Sequence, residues 1–229
     1  MDNNRIGKIG FSIIENINRP EKVVYDKLAN YTTPNLSDAM NRFRTMASSI
    51  KPIHENCKFM GPAVTVRVRP GDNLMVHKAI DIAKPGDVIV ISTGDCSTNA
   101  VWGELMTRAA QKKGIVAAVI EGGARDINEN KELKFSIFAK YVVASACDKD
   151  GPGEINEAIS CGGVVVCPGD IIVGDENGVV VIPPELVNEV IKNTDIKVNY
   201  ERKRIADIDK GMIISEDIDE ILRKKGVII

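Results

Sequence analysis

Residues 88–126 read VIVISTGDCSTNAVWGELMTRAAQKKGIVAAVIEGGARD, and the order of patterns inside them decides the fold class. "VIVI" is a short β-branched run, the composition of a buried strand. Residues 97–114 follow, with Val101, Trp102, Leu105, Met106, Ala109 and Ala110 on one stripe at helical spacing. Ser97 or Thr98 can cap the start of this helix, and Lys112, Lys113 and Gly114 suit its end. "IVAAVI" (115–120) is too short for a helix and rich in β-branched residues, so it reads as a second buried strand. Strand, helix, strand is a βαβ crossover, and the fold class is α/β.

The pattern extends outward on both sides. "RPEKVVYDKLANY" reads as a helix with Pro20 near its start, and "NLSDAMNRF" as a short helix capped by Ser37. Residues 61–69, "GPAVTVRVR", alternate in their second half, as in a strand with one face on the core. Pro-Gly-Asp occurs at 70–72, 85–87 and 168–170. A phosphate or metal loop is conceivable there, but turn chemistry alone accounts for the tripeptide, since two copies directly precede β-branched runs. "GGVVVCPGDIIVGDENGVVVIP" predicts three meander strands. The tail predicts a long helix from Pro184 to about Asp209 and a final helix from Ser215. The resulting organisation is one compact α/β domain over residues 1–229, with N-terminal helices at about 20–45, a core at about 50–183 and C-terminal helices at about 184–226.

Composition narrows the class. The 229 residues suffice for a substantial core, and 44% hydrophobic with 27% charged residues is ordinary for a soluble globular chain. A net charge of −2 argues against a strongly basic nucleic-acid surface. Five cysteines form no CxxC pair, and only His54 and His77 are present, so neither a disulfide framework nor a Cys/His zinc site is expected. With no signal-peptide pattern and no transmembrane-length run, the reading is a cytoplasmic protein without a membrane partner.

The chemistry gathers at "EGGARD" (121–126), just past the carboxyl end of a strand, where open α/β sheets place their ligand crevices. Gly122 and Gly123 would let backbone approach a ligand. Arg125 can fork onto a carboxylate and a neighbouring oxygen, and Asp126 can offer a hard oxygen to Mg²⁺ or Mn²⁺. The alternative is a structural Arg–Asp pair, with Asp126 capping the short helix that follows. The loop before the central helix lies at the neighbouring strand end. Amides at Gly103, Glu104, Leu105 and Met106 could hold an anion there only if the regular helix begins near Trp102 rather than at Ser97. Glu104 is either an acid/base group for the crevice or a first-turn acid complementing the helix dipole. His77, Cys96 and Trp102 read as a partly buried polar residue, an inert small residue and a core anchor.

Glu104, twenty residues, then Arg125-Asp126 resembles the signature of the RraA-like superfamily. "TTPNLSDAM", "GPAVTV", "KPGDVIVIS", "AVWGELMTRAAQKKGI", "GGARDI", "GPGEIN" and "SCGGVVVCPGDIIVGDENGVVVIP" extend the likeness over roughly residues 20–210. More narrowly, the chain resembles the 4-hydroxy-4-methyl-2-oxoglutarate (or 4-carboxy-4-hydroxy-2-oxoadipate) aldolases. The resemblance implies a β/β/α swivelling-type domain with helical extensions, assembled as a homotrimer or a dimer of trimers. It implies a class II pyruvate aldolase acting on a small 2-oxo acid, with oxaloacetate decarboxylation as a companion activity. By the same resemblance Asp126 would be the direct protein ligand of Mg²⁺ or Mn²⁺, and Arg125 would contact the substrate's keto oxygen and carboxylate. The amides of Gly103, Glu104, Leu105 and Met106 would bind the pyruvyl carboxylate, and Glu104 would work through a water on proton transfer. The resemblance also implies a glutamate from a neighbouring subunit's C-terminal helix, for which Glu201 in "NYERKRIADI" would be the equivalent, in a tail less distinctive than the rest. The segment "KYVVASACDKDGPGEINEAIS" (140–160) departs from the pattern, leaving the distal end of the substrate open. Two rivals are a non-enzymatic RraA-type regulator of a ribonuclease or helicase, and a methyltransferase, which the missing glycine-rich nucleotide fingerprint disfavours.

Overall fold

In the computed structural model, which describes residues 5–227, the chain begins as a hairpin of β1 (Arg5–Lys8) and β2 (Phe11–Ile14). Short helical pieces follow: α1 (Lys22–Tyr25), a 3-10 turn (Asp26–Asn30) and α2 (Thr33–Ala39). The cap of α2 is Thr32, whose hydroxyl accepts from the Asn35 amide, and not the expected Ser37. Then come β3 (Lys51–Pro52), β4 (Phe59–Val68), α3 (Leu74–Ile82), β5 (Val88–Trp102), α4 (Glu104–Lys113), β6 (Ala117–Ala124), α5 (Ile127–Glu132) and β7 (Ser136–Val142). The chain closes with β8 (Gly153–Ile155), β9 (Ile159–Cys161), β10 (Val164–Val166), β11 (Ile171–Asp175), β12 (Gly178–Ile182), α6 (Val187–Asp209) and α7 (Glu216–Lys224). No helix among the described residues is long and apolar enough to cross a membrane.

The parallel core is β4-β5-β6-β7, with β8, β2 and β1 continuing beyond β4 and β3 beyond β7. The βαβ crossover expected from residues 88–126 is present, with β5 and β6 paired in parallel across α4. Both faces of these strands are covered, the usual condition of a parallel sheet. Val64, Val66, Ile89, Ile91 and Ile120 pack with Met75, Val76 and Ala79 of α3 and Met106 and Ala110 of α4. The alternate residues, Ala63, Val88, Val90, Ala117 and Val119, face Ile172, Val179 and Val181 of the β11–β12 hairpin. The far side of that hairpin packs against Leu28, Leu36, Val187 and Val190. The layers therefore run helix, sheet, hairpin, helix. The one-sided reading of residues 61–69 holds only at the end of β4, where Arg67 is exposed between buried Val66 and Val68; from Gly61 to Val66 the strand is buried on both faces.

The three-strand meander is also corrected. β11 and β12 pair, but β10 pairs with β9 in a separate ribbon, and the outer partner of β11 is the first half of β4. Each Pro-Gly-Asp forms a turn with its glycine at positive φ (79°, 91° and 88°), a region open to glycine. Two of them enter strands, β5 and β11, as turn chemistry predicts. The first enters α3 instead, and its Asp72 carboxylate accepts from the amides of Leu74, Asp150 and Gly151 at 2.7–2.9 Å.

Burial of Asp72 opposes its charge, but these three amides and nearby Arg69 prevail and hold its carboxyl below the usual range. A carboxyl whose folded pKa is depressed adds stability above its unfolded value, about 3.9, and loses it as the pH falls through the folded value. Asp72→Asn is therefore expected to melt below wild type at pH 7 and to converge on it under acid. Thermal melts from pH 7 to pH 3 test this, and a gap that stays constant would contradict it.

Candidate active site

The central helix starts later than its sequence suggests. Ser97 and Thr98 do not cap it, because β5 continues through a series of register shifts to Trp102, still paired with Ala124. Gly103 is the N-cap and Glu104 the first helical residue. Starting there turns Leu105 outward, 79% exposed, so the buried stripe is Met106, Thr107 and Ala110 rather than the one expected. Val101 and Trp102 are buried as strand residues, and Trp102 stacks on Phe135. The late start meets the condition under which the first-turn amides can face a crevice.

Three of those amides are already engaged. Met106 and Thr107 both return to the Gly103 carbonyl at 3.1 Å, and the Glu104 amide donates to Asp126 Oδ2 at 2.9 Å. Leu105 is left as a first-turn donor without an intrahelical partner. Asp126 itself is in the left-handed region (φ 60°) at the N-cap of α5, yet its side chain does not cap that helix. It crosses to cap α4 instead. The Arg125 Nε lies 3.6 Å from the same Oδ2. A Cβ on Gly103 would meet Asp126 Oδ2 at 2.5 Å and Arg125 Cγ at 3.2 Å, so only glycine admits both side chains.

A buried relay holds the two loops together. Trp102 Nε1 donates to Thr107 Oγ1 (2.8 Å), which donates to Asn130 Oδ1 (2.6 Å). The Asn130 amide donates to the carbonyls of Arg125 (2.8 Å) and Asp126 (2.7 Å). Asn130 is fully buried. Asn130→Leu leaves the Thr107 hydroxyl proton and the Arg125 carbonyl without partners, while the Asp126 carbonyl keeps the backbone amide of residue 130, and is expected to cost about 3 kcal/mol. Denaturant titration checks it, and a loss below about 1 kcal/mol would show the relay to be dispensable.

Gly122 and Gly123 serve packing rather than ligand approach. A Cβ at Gly122 would sit 2.6 Å from Thr93 Oγ1, and one at Gly123 would strike Val143 and the Asn99 carbonyl. They make room for the bulged half of β5.

Together these elements line a cleft of about 110 Å³ at the carboxyl ends of β5 and β6. Its lining joins Gly103, Leu105, Met106, Arg125 and Asp126 to Asn73 and His77 from the α3 region and Cys147 and Lys149 from the 145–151 segment. The Glu104 carboxylate is not part of the lining and is bound by Arg108 at 2.7 Å. Glu201 lies on α6, accepting from Asn35 at 3.0 Å. His77 proves exposed, not partly buried. Burial pushes the Cys147 thiol up to about 11, with Cys96 and Asp72 adding to it, so it stays protonated. A larger hollow, about 450 Å³, lies between α6 and α7, away from the strand ends.

The described residues contain no cluster of three or more His, Cys, Asp or Glu suited to a metal. The donor set of the cleft still fits a hard divalent cation. Asp126 Oδ1 has no hydrogen-bond partner among the described residues, the side chain is 35% exposed, and Mg²⁺ commonly keeps most of its waters around one or two carboxylates.

Comparison with known proteins bears on this arrangement. A family model described as "RraA-like: Aldolase/RraA" matches residues 33–181. A protein of Halalkalibacterium halodurans named "Putative 4-hydroxy-4-methyl-2-oxoglutarate aldolase" is 42% identical over 189 residues, covering 82% of this chain and 90% of its own. Among solved structures, an uncharacterized protein from Pseudomonas syringae pv. tomato aligns with a TM-score of 0.75 at 28% identity, over 86% of this chain and 92% of its own. The RNA-processing inhibitor RraA from Thermus thermophilis aligns at 0.62 and 27% identity, over 67% of this chain and 93% of its own.

Proposed function

Since the chain belongs to the RraA-like family, we propose that the cleft between the β5–α4 and β6–α5 junctions cleaves 4-hydroxy-2-oxo acids to pyruvate and a second carbonyl compound. The observation that carries this reading is the convergence of Arg125, Asp126 and the N-terminus of α4 on one small cleft.

The pyruvyl carboxylate sits at the start of α4, where the Leu105 amide and the helix dipole favour an anion. Arg125 forks onto the keto oxygen and the carboxylate side. Asp126, through its open Oδ1, would hold a divalent cation, Mg²⁺ or Mn²⁺, which when bound would supply Lewis-acid stabilisation of the charge developing on the keto oxygen. A base takes the proton of the C4 hydroxyl as the C3–C4 bond breaks. The electron pair of that bond passes to C3, giving the pyruvate enolate, and protonation at C3 completes pyruvate. Glu104 serves these proton transfers through a water, after releasing Arg108. Loss of CO₂ from oxaloacetate generates the same enolate, so decarboxylation accompanies cleavage.

The test is pyruvate release from oxaloacetate and from a panel of 4-hydroxy-2-oxo acids, with Mg²⁺ or Mn²⁺ and with chelator. Metal-dependent release is expected. Its absence across the panel would turn attention to the rival, a regulator of RNA processing that works through its surface. The assembly is read as a homotrimer or a dimer of trimers, to be checked by sedimentation.

A further inference from the structure

The carboxylate of Asp126 has two helices within reach, and it caps the one farther along the chain's fold. Asp126 is the N-cap residue of α5 yet makes no side-chain bond to that helix, while its Oδ2 accepts from the Glu104 amide at the start of α4 (2.9 Å). An N-cap aspartate ordinarily has an extended backbone, which brings its oxygen over the first amides of its own helix. Asp126 instead has φ 60° and ψ 49°, in the left-handed region. Its neighbours Arg125 and Ile127 do not demand that conformation, so a contact from elsewhere in the fold must hold it.

Asn130 makes that contact. Its Nδ2 donates to two successive carbonyls, those of Arg125 (2.8 Å) and Asp126 (2.7 Å), and its backbone amide adds a bond to the second at 3.0 Å. In an extended residue the flanking carbonyls point opposite ways, so one donor can collect both only if residue 126 curls. The direction of the carboxamide is fixed in turn. Trp102 Nε1 can only donate, and it donates to Thr107 Oγ1 (2.8 Å). The Thr107 proton is therefore directed to Asn130, whose oxygen accepts it (2.6 Å) and whose nitrogen is left for the carbonyls. Thr107 and Asn130 are both fully buried, so the polarity of the chain of bonds is set from inside the fold.

We propose that Trp102, Thr107 and Asn130 are positioning residues for the cation: their one-way relay keeps Asp126 left-handed, so that Oδ2 caps α4 and Oδ1 stays open to a divalent metal. This rests on the metal-dependent reading of the cleft and adds what selects the direction of the carboxylate. With the relay broken, Asp126 relaxes toward the extended N-cap of α5, and its oxygens turn to the amides of that helix. Metal affinity then falls although Asp126 itself is intact.

Two substitutions separate the Thr107 hydroxyl from its packing. Thr107→Val keeps the shape and loses the hydroxyl, whereas Thr107→Ser keeps the hydroxyl and loses a methyl. Mn²⁺ binding is measured by calorimetry without substrate, at a temperature where a thermal melt shows each protein folded. Thr107→Val is expected to weaken binding by about 10- to 100-fold, the usual loss when a group supporting a metal ligand is removed, and Thr107→Ser to stay within about threefold of wild type. Trp102→Phe, which frees the Thr107 hydroxyl to turn, should weaken binding in the same direction and serves if the valine variant does not fold. Hydrogen exchange at the Glu104 amide reports the α4 cap without metal. It should quicken in Thr107→Val relative to the Ala110 amide in the helix interior, and not in Thr107→Ser. Unchanged Mn²⁺ affinity in Thr107→Val, or equal losses in the valine and serine variants, would overturn the positioning role. A wild type that binds no Mn²⁺ would remove the metal-dependent reading and the cation from this proposal, while quickened exchange at Glu104 in the valine variant would still show the relay directing Asp126.

Discussion

Arg125→Lys is expected to lower kcat for pyruvate release by about 10²- to 10³-fold, the usual consequence of removing one group aimed at a developing oxyanion. The substitution keeps the positive charge. It removes the planar fork that can reach two oxygens at once, which a compact ammonium cannot reproduce. Folding should be little affected, because the bonds anchoring this residue are made by its backbone: its amide to the Trp102 carbonyl (3.0 Å) and its carbonyl to Asn130 (2.8 Å). The side chain is 41% exposed. Steady-state kinetics with a thermal melt on the same preparation separate the two effects. Near-wild-type turnover would mean that Arg125 is a surface partner of Asp126 and that enolate stabilisation lies elsewhere.

The sequence carried the crossover and the location of the crevice because both depend on local patterns. "IVAAVI" and the helix before it need no distant partner to be recognised. The start of α4 was misread for a tertiary reason. Ser97 and Thr98 are good caps in isolation, but the Ala100–Gly123 and Trp102–Ala124 pairings extend β5 past them. Propensity yields there to strand pairing. Once the helix begins at Glu104, the facing of Leu105 changes with it. The same pairing explains Gly122 and Gly123, whose missing side chains admit Thr93 and Asn99.

The part of the lining that comes from the α3 entry and the 145–151 segment left almost no trace in the sequence. Asn73 and Lys149 are far apart along the chain, and neither belongs to a spacing pattern. One signal was available: the Pro-Gly-Asp at 70–72 is the copy that leads into no β-branched run. A buried aspartate at a turn that starts no strand has to bind some other backbone, and the 148–151 segment is what it binds. Asp126 carries a similar lesson. As the residue before a short helix it looks like that helix's cap, whereas its carboxylate spans to the next helix along the sheet.

That dual placement of Asp126 dictates which variant isolates its chemistry. Asp126→Ala removes the charge, uncaps α4 at the Glu104 amide and puts alanine in the left-handed region, which aspartate and asparagine tolerate better because their short polar side chains can bond locally. Lost activity in that variant would therefore be ambiguous. Asp126→Asn keeps an oxygen that can accept from Glu104, and asparagine tolerates positive φ. It removes the negative charge alone, and with it the hard ligand that a divalent cation requires. Asp126→Asn is expected to stay within about 1 kcal/mol of wild type in stability while losing activity on the order of 10³-fold, the scale set by several kcal/mol of charge stabilisation. Its residual activity should no longer respond to added Mg²⁺ or Mn²⁺, and Asp126→Ala should lose stability as well as activity. Metal titrations of turnover beside denaturant titrations of all three proteins decide the matter. If Asp126→Asn works in excess chelator as well as wild type does with metal, the carboxylate is a helix cap and nothing more.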